Sequence, residues 1–166
     1  MNLQINKSLI GLLSIVLIST FFSACSSEKQ VSSFSQDEIT QAINNNRWTF
    51  TADNASPAYG RSQNLSGGYF VTCRTDTLIT ALPYFGKLNS PAGAMTGNPL
   101  DFKSTKFTIT KEDKKGGGWV VMINRPDQEV QSMTFSFYDN GSAQLNVVMT
   151  NRSGINFSGK VTPVIK

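Results

Sequence analysis

The stretch VQSMTFSFYDNGSAQLNVVMTNRSGINFSGKVTP, residues 130–163, decides the fold. Apolar and polar residues alternate along it in three successive runs. The apolar members are Met133, Phe135 and Phe137, then Leu145, Val147 and Met149, then Ile155, Phe157 and Val161. A period of two is typical of strands that bury one face. Asn140-Gly141 separates the first two runs and predicts a tight hairpin turn with positive φ at Gly141.

The same alternation extends outward to the rest of the chain, beginning at Trp48 and Phe50. Eight strands are predicted near residues 47–53, 68–74, 77–83, 104–111, 118–124, 130–138, 142–150 and 155–163. Short strands joined by tight turns indicate a mainly β domain built as an antiparallel meander. The pattern leaves open whether this meander is a sheet or an open barrel.

One helix is predicted before the strands, from Ser35 or Gln36 to about Asn46. Asp37 and Glu38 fall in its first turn, where the helix dipole favours negative charge. The apolar residues Ile39, Ala42 and Ile43 follow at helical spacing. We therefore expect an N-terminal helix packed on the sheet or across a barrel end.

The first 24 residues have the pattern of a secretory signal. Lys7 precedes an uncharged run over residues 8–22, whose apolar part of about 14 residues is short for a membrane-spanning helix. Phe22-Ser23-Ala24-Cys25 resembles the bacterial lipobox, in which the cysteine is acylated. The sequence predicts lipidation of Cys25 and a location on the outer membrane or the periplasmic side of the cell envelope. An ordinary cleaved signal or an uncleaved anchor is the alternative.

Three segments follow from this interpretation: a signal peptide over residues 1–24, a polar tether over 25–35, and a single β-rich domain over 36–166. The tether is rich in serine and is too polar to form a core. Cys73 is the one cysteine besides Cys25, so an intramolecular disulfide is excluded from the mature domain. Cys73 is predicted to be a small buried apolar residue.

The composition excludes the commonest catalytic machinery, because the chain contains no histidine. Glu112, Asp113 and Asp139 are interpreted as solvated turn residues rather than paired acids. No catalytic residue, metal site or cofactor is predicted. The formal net charge of +4 is spread along the chain, so no nucleic-acid partner is expected.

Two long irregular stretches, residues 52–67 and 85–101, are where a site is expected. The second follows Leu82-Pro83-Tyr84-Phe85-Gly86, in which proline ends a strand and Gly86 lets the chain turn. Adjacent aromatic residues point in opposite directions, so one of Tyr84 and Phe85 is predicted to be buried and the other exposed. Arg152, in a later turn, is a third candidate contact. Alternatively, both rings pack the end of the strand.

Four blocks of sequence carry a resemblance to a known family. They are Trp48-Thr49-Phe50-Thr51-Ala52, Leu82-Pro83-Tyr84-Phe85-Gly86, residues 137–143 and residues 151–159. In this order they resemble the bacterial lipoprotein family called domain of unknown function 4251, over about residues 36–162. The resemblance implies a one-domain envelope lipoprotein and implies neither an activity nor catalytic residues.

The leading functional hypothesis is a non-catalytic envelope lipoprotein that is held to the membrane by its lipid and binds an apolar or amphipathic ligand or a partner protein. Tyr84, Phe85 and Arg152 are its candidate contacts. The alternative is a scaffold or interaction component of an outer-membrane assembly, with a flat surface and no internal cavity. A third hypothesis is a histidine-independent enzyme that uses carboxylates or lysine, and two acidic side chains about 5 to 10 Å apart in a cleft would favour it.

Overall fold

A computed structural model describes residues 34–89 and 97–164, which begin with one helix. This helix, α1, covers Gln36–Asn44 and starts at a capping box, in which Glu38 N–H donates to the Ser35 hydroxyl and Ser35 N–H donates to the Glu38 carboxylate at 2.8 Å. These hydrogen bonds hold the pKa of Glu38 below its ordinary value. The helix is two residues shorter than predicted, because Asn46 takes a φ of 52°. No helix in the described ranges is long and apolar enough to cross a membrane.

Ten strands follow the helix. They are β1 Arg47–Pro57, β2 Gln63–Asn64, β3 Phe70–Arg74, β4 Thr77–Ala81, β5 Asp101–Ser104, β6 Thr108–Asp113, β7 Trp119–Asn124, β8 Val130–Phe137, β9 Ser142–Met149 and β10 Ile155–Pro163. The predicted mainly β, antiparallel class with one N-terminal helix is confirmed.

The strands form one curled antiparallel sheet, a half-barrel, in the order β5-β4-β3-β1-β10-β9-β8-β7-β6, with β2 beside β1. Two meanders, one at each end of the sequence, are joined where β1 pairs with β10 from Trp48↔Pro163 to Pro57↔Ile155. This long pairing explains why β1 continues to Pro57, beyond the predicted end at residue 53. The first and last strands therefore hold the two halves of the sheet together.

The strand predicted at residues 104–111 is wrong in its placement. The chain forms β5, which pairs with β4, and then β6, which pairs with β7 at the other edge of the sheet. The three residues 105–107 connect them and span at most about 14 Å between the flanking Cα atoms. The two edges of the half-barrel therefore come close together at this connection.

Side chains fill the concave side of the sheet. Trp48 lies between Phe135 and Phe137, with ring centroids 4.8 and 4.9 Å away in edge-to-face contacts. Phe50 contacts Phe135 in the same way at 5.8 Å. Cys73 is fully buried, as predicted, and burial raises the pKa of its thiol to about 11. The interior is thus a packed core.

Two glycines show where backbone geometry constrains the sequence. Gly141, in the β8–β9 turn, has a φ of 78°, which confirms the prediction. Gly159 lies opposite Ala52 on β1, where a bulge shifts the register, and a Cβ at this position would overlap the carbonyl oxygen of Thr51. Glycine at 159 therefore lets β10 approach β1 closely.

The helix occupies one end of the sheet. Ile39 of α1 lies against the β8–β9 turn at Gly141, and the Lys111 ammonium of β6 donates to the carbonyl oxygens of Ile43 and Asn44 at 3.2 and 3.0 Å. Phe34, which precedes the helix, also packs against the core. The opposite end of the sheet, which we call the rim, is formed by residues 82–89, 125–129 and 150–154.

Candidate functional site

The first rim segment starts where β4 ends. The strand ends at Ala81 rather than at the predicted residue 83, because the Leu82 N–H donates to the carbonyl of Leu100 at 3.1 Å. The Leu82 carbonyl accepts the side-chain amide of Asn98 at 2.6 Å. Pro83 follows with no N–H to donate. The chain therefore leaves the sheet at Leu82 and runs along the rim.

Hydrogen bonds fix this segment to residues 150–154. Ser153 N–H donates to the carbonyl of Lys87, and Lys87 N–H donates to the Ser153 hydroxyl, both at 2.9 Å. Leu88 forms an antiparallel bridge with Arg152. A loop attached at so many points loses little further freedom when it binds a partner.

Tyr84 is half-buried and contacts Arg152 and Ser153 of the third rim segment. Its hydroxyl donates to the carbonyl of Ser153 at 2.7 Å, and the Arg152 guanidinium lies 5.5 Å from the centre of its ring. A Cβ on residue 86 would overlap the Tyr84 hydroxyl. Gly86 therefore makes room for tyrosine and does not supply the turn that the sequence predicted, since its φ is outside the positive range.

Phe85 is exposed over 43% of its surface and Leu88 over 47%. The two aromatic residues at 84 and 85 thus divide as expected, with Tyr84 turned inward and Phe85 outward. The sequence analysis did not include Leu88 among the candidate contacts. Its position three residues after Phe85 in the same irregular segment could have indicated it. Together Phe85 and Leu88 form what we call the apolar rim pair.

Arg152 lies in a buried ion pair that the sequence did not predict. Its Nε donates to a carboxylate oxygen of Glu129 at 2.5 Å, and each side chain is 10% exposed. Thr150 N–H donates to the Glu129 carbonyl at 2.9 Å, which ties the two turns together. Arg152 therefore joins the second and third rim segments and is more buried than a surface contact residue.

A cavity of about 200 Å³ adjoins this ion pair. Arg152 and Glu129 line it together with Asn98, Asp101 and Phe102. In the described ranges, Glu129 is the one acidic side chain classed as buried, and no three His, Cys, Asp or Glu side chains lie close enough to hold a metal ion. Asp127 also lines the cavity, so Asp101, Asp127 and Glu129 are three acidic residues of its lining, beside the basic Arg152.

The remaining predicted site residue, Cys25, lies outside the described residues, as does the predicted signal over residues 1–24.

The family model described as Domain of unknown function (DUF4251) matches residues 30–161. Among solved structures, the chain is similar to the crystal structure of a DUF4251 family protein from Bacteroides eggerthii DSM 20697 at 1.95 Å resolution. The TM-score is 0.60 at 13% identity, over 79% of this chain and 89% of that chain. This likeness concerns the fold alone. No curated protein matches the chain.

Proposed function

The chain belongs to the DUF4251 family, and from this premise we propose that it is a non-catalytic adaptor, anchored in the cell envelope by lipid on Cys25, that binds a partner protein through its rim. The observation that carries the proposal is the apolar rim pair. Phe85 and Leu88 are exposed on a segment that hydrogen bonds hold in place. Exposed apolar side chains on a rigid backbone are typical of protein interfaces.

The filled interior supports one of the two kinds of ligand over the other. Trp48, Phe50, Phe135 and Phe137 are fully buried and occupy the space that an apolar ligand inside the half-barrel would need. The rim instead offers an outward surface for a protein. This observation favours a partner protein over a small apolar ligand, and it agrees with a role in an outer-membrane assembly.

We expect Cys25→Ala to move the protein from the membrane fraction to the soluble fraction or to leave an unprocessed precursor. The physical reason is that only several acyl chains together hold a protein firmly on a membrane. Fractionation and intact-mass measurement test this, with Cys73→Ala as the matched control that should stay in the membrane. A wild-type mass without lipid on Cys25 would refute the anchor.

A photo-crosslinking amino acid at position 85 or 88 should give a discrete crosslinked product in intact cell envelopes. Position 122 is the matched control, because Met122 is an exposed apolar residue (37%) on strand β7, outside the rim segments. Phe85→Ser should abolish the product formed from position 88 while shifting the melting temperature by about 2 °C or less, since surface substitutions cost little stability. Equal products from positions 88 and 122 would contradict the proposed rim interface.

A further inference from the structure

A second cavity opens at the rim end of the sheet, beside the β7–β8 turn. It has a volume of about 1030 Å³ and lies between the β5–β6 connection and the β7–β8 turn. Ligand sites occupy about 300 to 1000 Å³ and are mostly apolar. This cavity reaches that size with a different lining: seven of its residues are serine, threonine, asparagine or glutamine, three are basic, one is acidic and two are apolar.

The three basic side chains are Lys103, Lys106 and Arg125. Within the described ranges, none of them forms an ion pair. The acidic residue of the lining, Asp127, uses its carboxylate to accept the N–H of Glu129 at 3.0 Å. Three basic residues against one acidic residue leave the lining with an excess of positive charge.

Arg125 has a backbone conformation that an arginine rarely adopts. Its φ is 47°, and its N–H donates to the Gln131 carbonyl at 2.8 Å to close the turn. Glycine or asparagine would occupy this left-handed conformation at less cost. Strained residues of this kind concentrate at functional sites. The guanidinium beside the cavity offers a reason for arginine at this position.

We propose that this cavity binds an anionic saccharide, with Lys103, Lys106 and Arg125 contacting its carboxylate or sulfate groups. Hydroxyl and amide side chains both donate and accept hydrogen bonds, which matches the hydroxyl groups of a sugar chain. The basic side chains supply charge-assisted hydrogen bonds to the acidic groups. The cavity shares the rim segments 125–129 and 150–154 with the proposed protein interface, but neither Phe85 nor Leu88 lines it.

Two other classes of anionic partner, lipid headgroups and acidic peptides, match this lining less well. A lipid headgroup brings acyl chains that need an apolar surface, and Pro126 and Val130 are the only apolar residues of the lining. An acidic peptide would be bound by a cluster of basic side chains or along a strand edge, but it would leave most of the seven hydroxyl and amide side chains of this lining without matching groups, whereas a sugar chain offers hydroxyls to them. The observations therefore favour a saccharide.

The test is calorimetric titration of the full chain, purified in detergent, with hexagalacturonate as the carboxylated probe and maltohexaose as its neutral counterpart. We expect the acidic probe to bind at least about tenfold more tightly than the neutral one, a difference of about 1.4 kcal/mol. Its affinity should fall severalfold between about 0.05 and 0.3 M salt, because screening weakens exposed charge contacts.

The variants remove charge with little risk to folding. Arg125→Asn keeps a residue that tolerates positive φ, and Lys106→Gln changes an exposed side chain. Together they should weaken binding of hexagalacturonate about tenfold or more. Lys115→Gln, in the β6–β7 turn at the helix end, makes the same charge change and should leave the affinity within about twofold.

Four results would overturn the proposal. They are no binding of hexagalacturonate, equal binding of maltohexaose, an equal loss with Lys115→Gln, and binding to phosphatidylglycerol vesicles without binding to the saccharide. Melting curves of the variants separate a loss of binding from a loss of folding. The salt dependence of the wild-type chain tests the electrostatic contact without any substitution.

Discussion

Replacing Trp48 by alanine should lower the free energy of unfolding by about 3 to 5 kcal/mol, the range for deleting a large buried aromatic side chain. Trp48 is fully buried and touches the rings of both Phe135 and Phe137. Alanine would leave a cavity where β1 meets strands from the other half of the sheet. Urea unfolding followed by circular dichroism measures the change.

Trp48→Phe is the informative control. The indole Nε1 of Trp48 is buried and has no acceptor among the described residues. Phenylalanine keeps most of the ring contacts and removes this unsatisfied donor, so it should cost only about 1 to 2 kcal/mol. If phenylalanine proves as costly as alanine, the indole makes an essential contact that the described residues do not include.

Trp48 also illustrates what the sequence predicts well. Its alternation with Phe50 placed both residues on a buried face, and Asn140-Gly141 indicated the turn geometry. These signals are local, because the period of two and the need for positive φ are properties of neighbouring residues. Local signals therefore established the strand class and the antiparallel connections.

The missed features depend on distant residues. β5 contains Asp101-Phe102-Lys103-Ser104, which has one apolar residue and no alternation, and it becomes a strand because β4 offers a free edge. The pairing of β1 with β10 brings together residues about a hundred positions apart. Neither hydropathy nor turn residues indicate which strands will meet, so the half-barrel could not be predicted from local patterns.

At the rim, too, a local feature was predictable from the sequence and a long-range contact was not. The opposite orientations of Tyr84 and Phe85 were predictable, since adjacent residues on an extended chain point to opposite sides. The partner of Arg152 was not, because Glu129 lies 23 positions away and precedes an apolar strand without any motif. Only the folded turns bring these two charges together.

The Arg152–Glu129 ion pair should be the most sensitive point of the rim. Removing one member of a buried ion pair leaves the other charge poorly solvated and costs about 3 to 5 kcal/mol. The side chains here keep 10% exposure, so we expect Arg152→Met to lower the free energy of unfolding by about 2 to 4 kcal/mol. Chemical denaturation measures this loss, and Glu129→Leu should give a loss of similar size.

The double variant decides whether the ion pair itself carries the effect. With both charges replaced by apolar side chains, no buried charge remains unpaired, and the combined loss should be smaller than the sum of the single losses by about 1 to 3 kcal/mol. Simple additivity would show that the two side chains act separately. If the rim holds Phe85 in place through Arg152, crosslinking from position 85 should weaken in both single variants at temperatures where they remain folded.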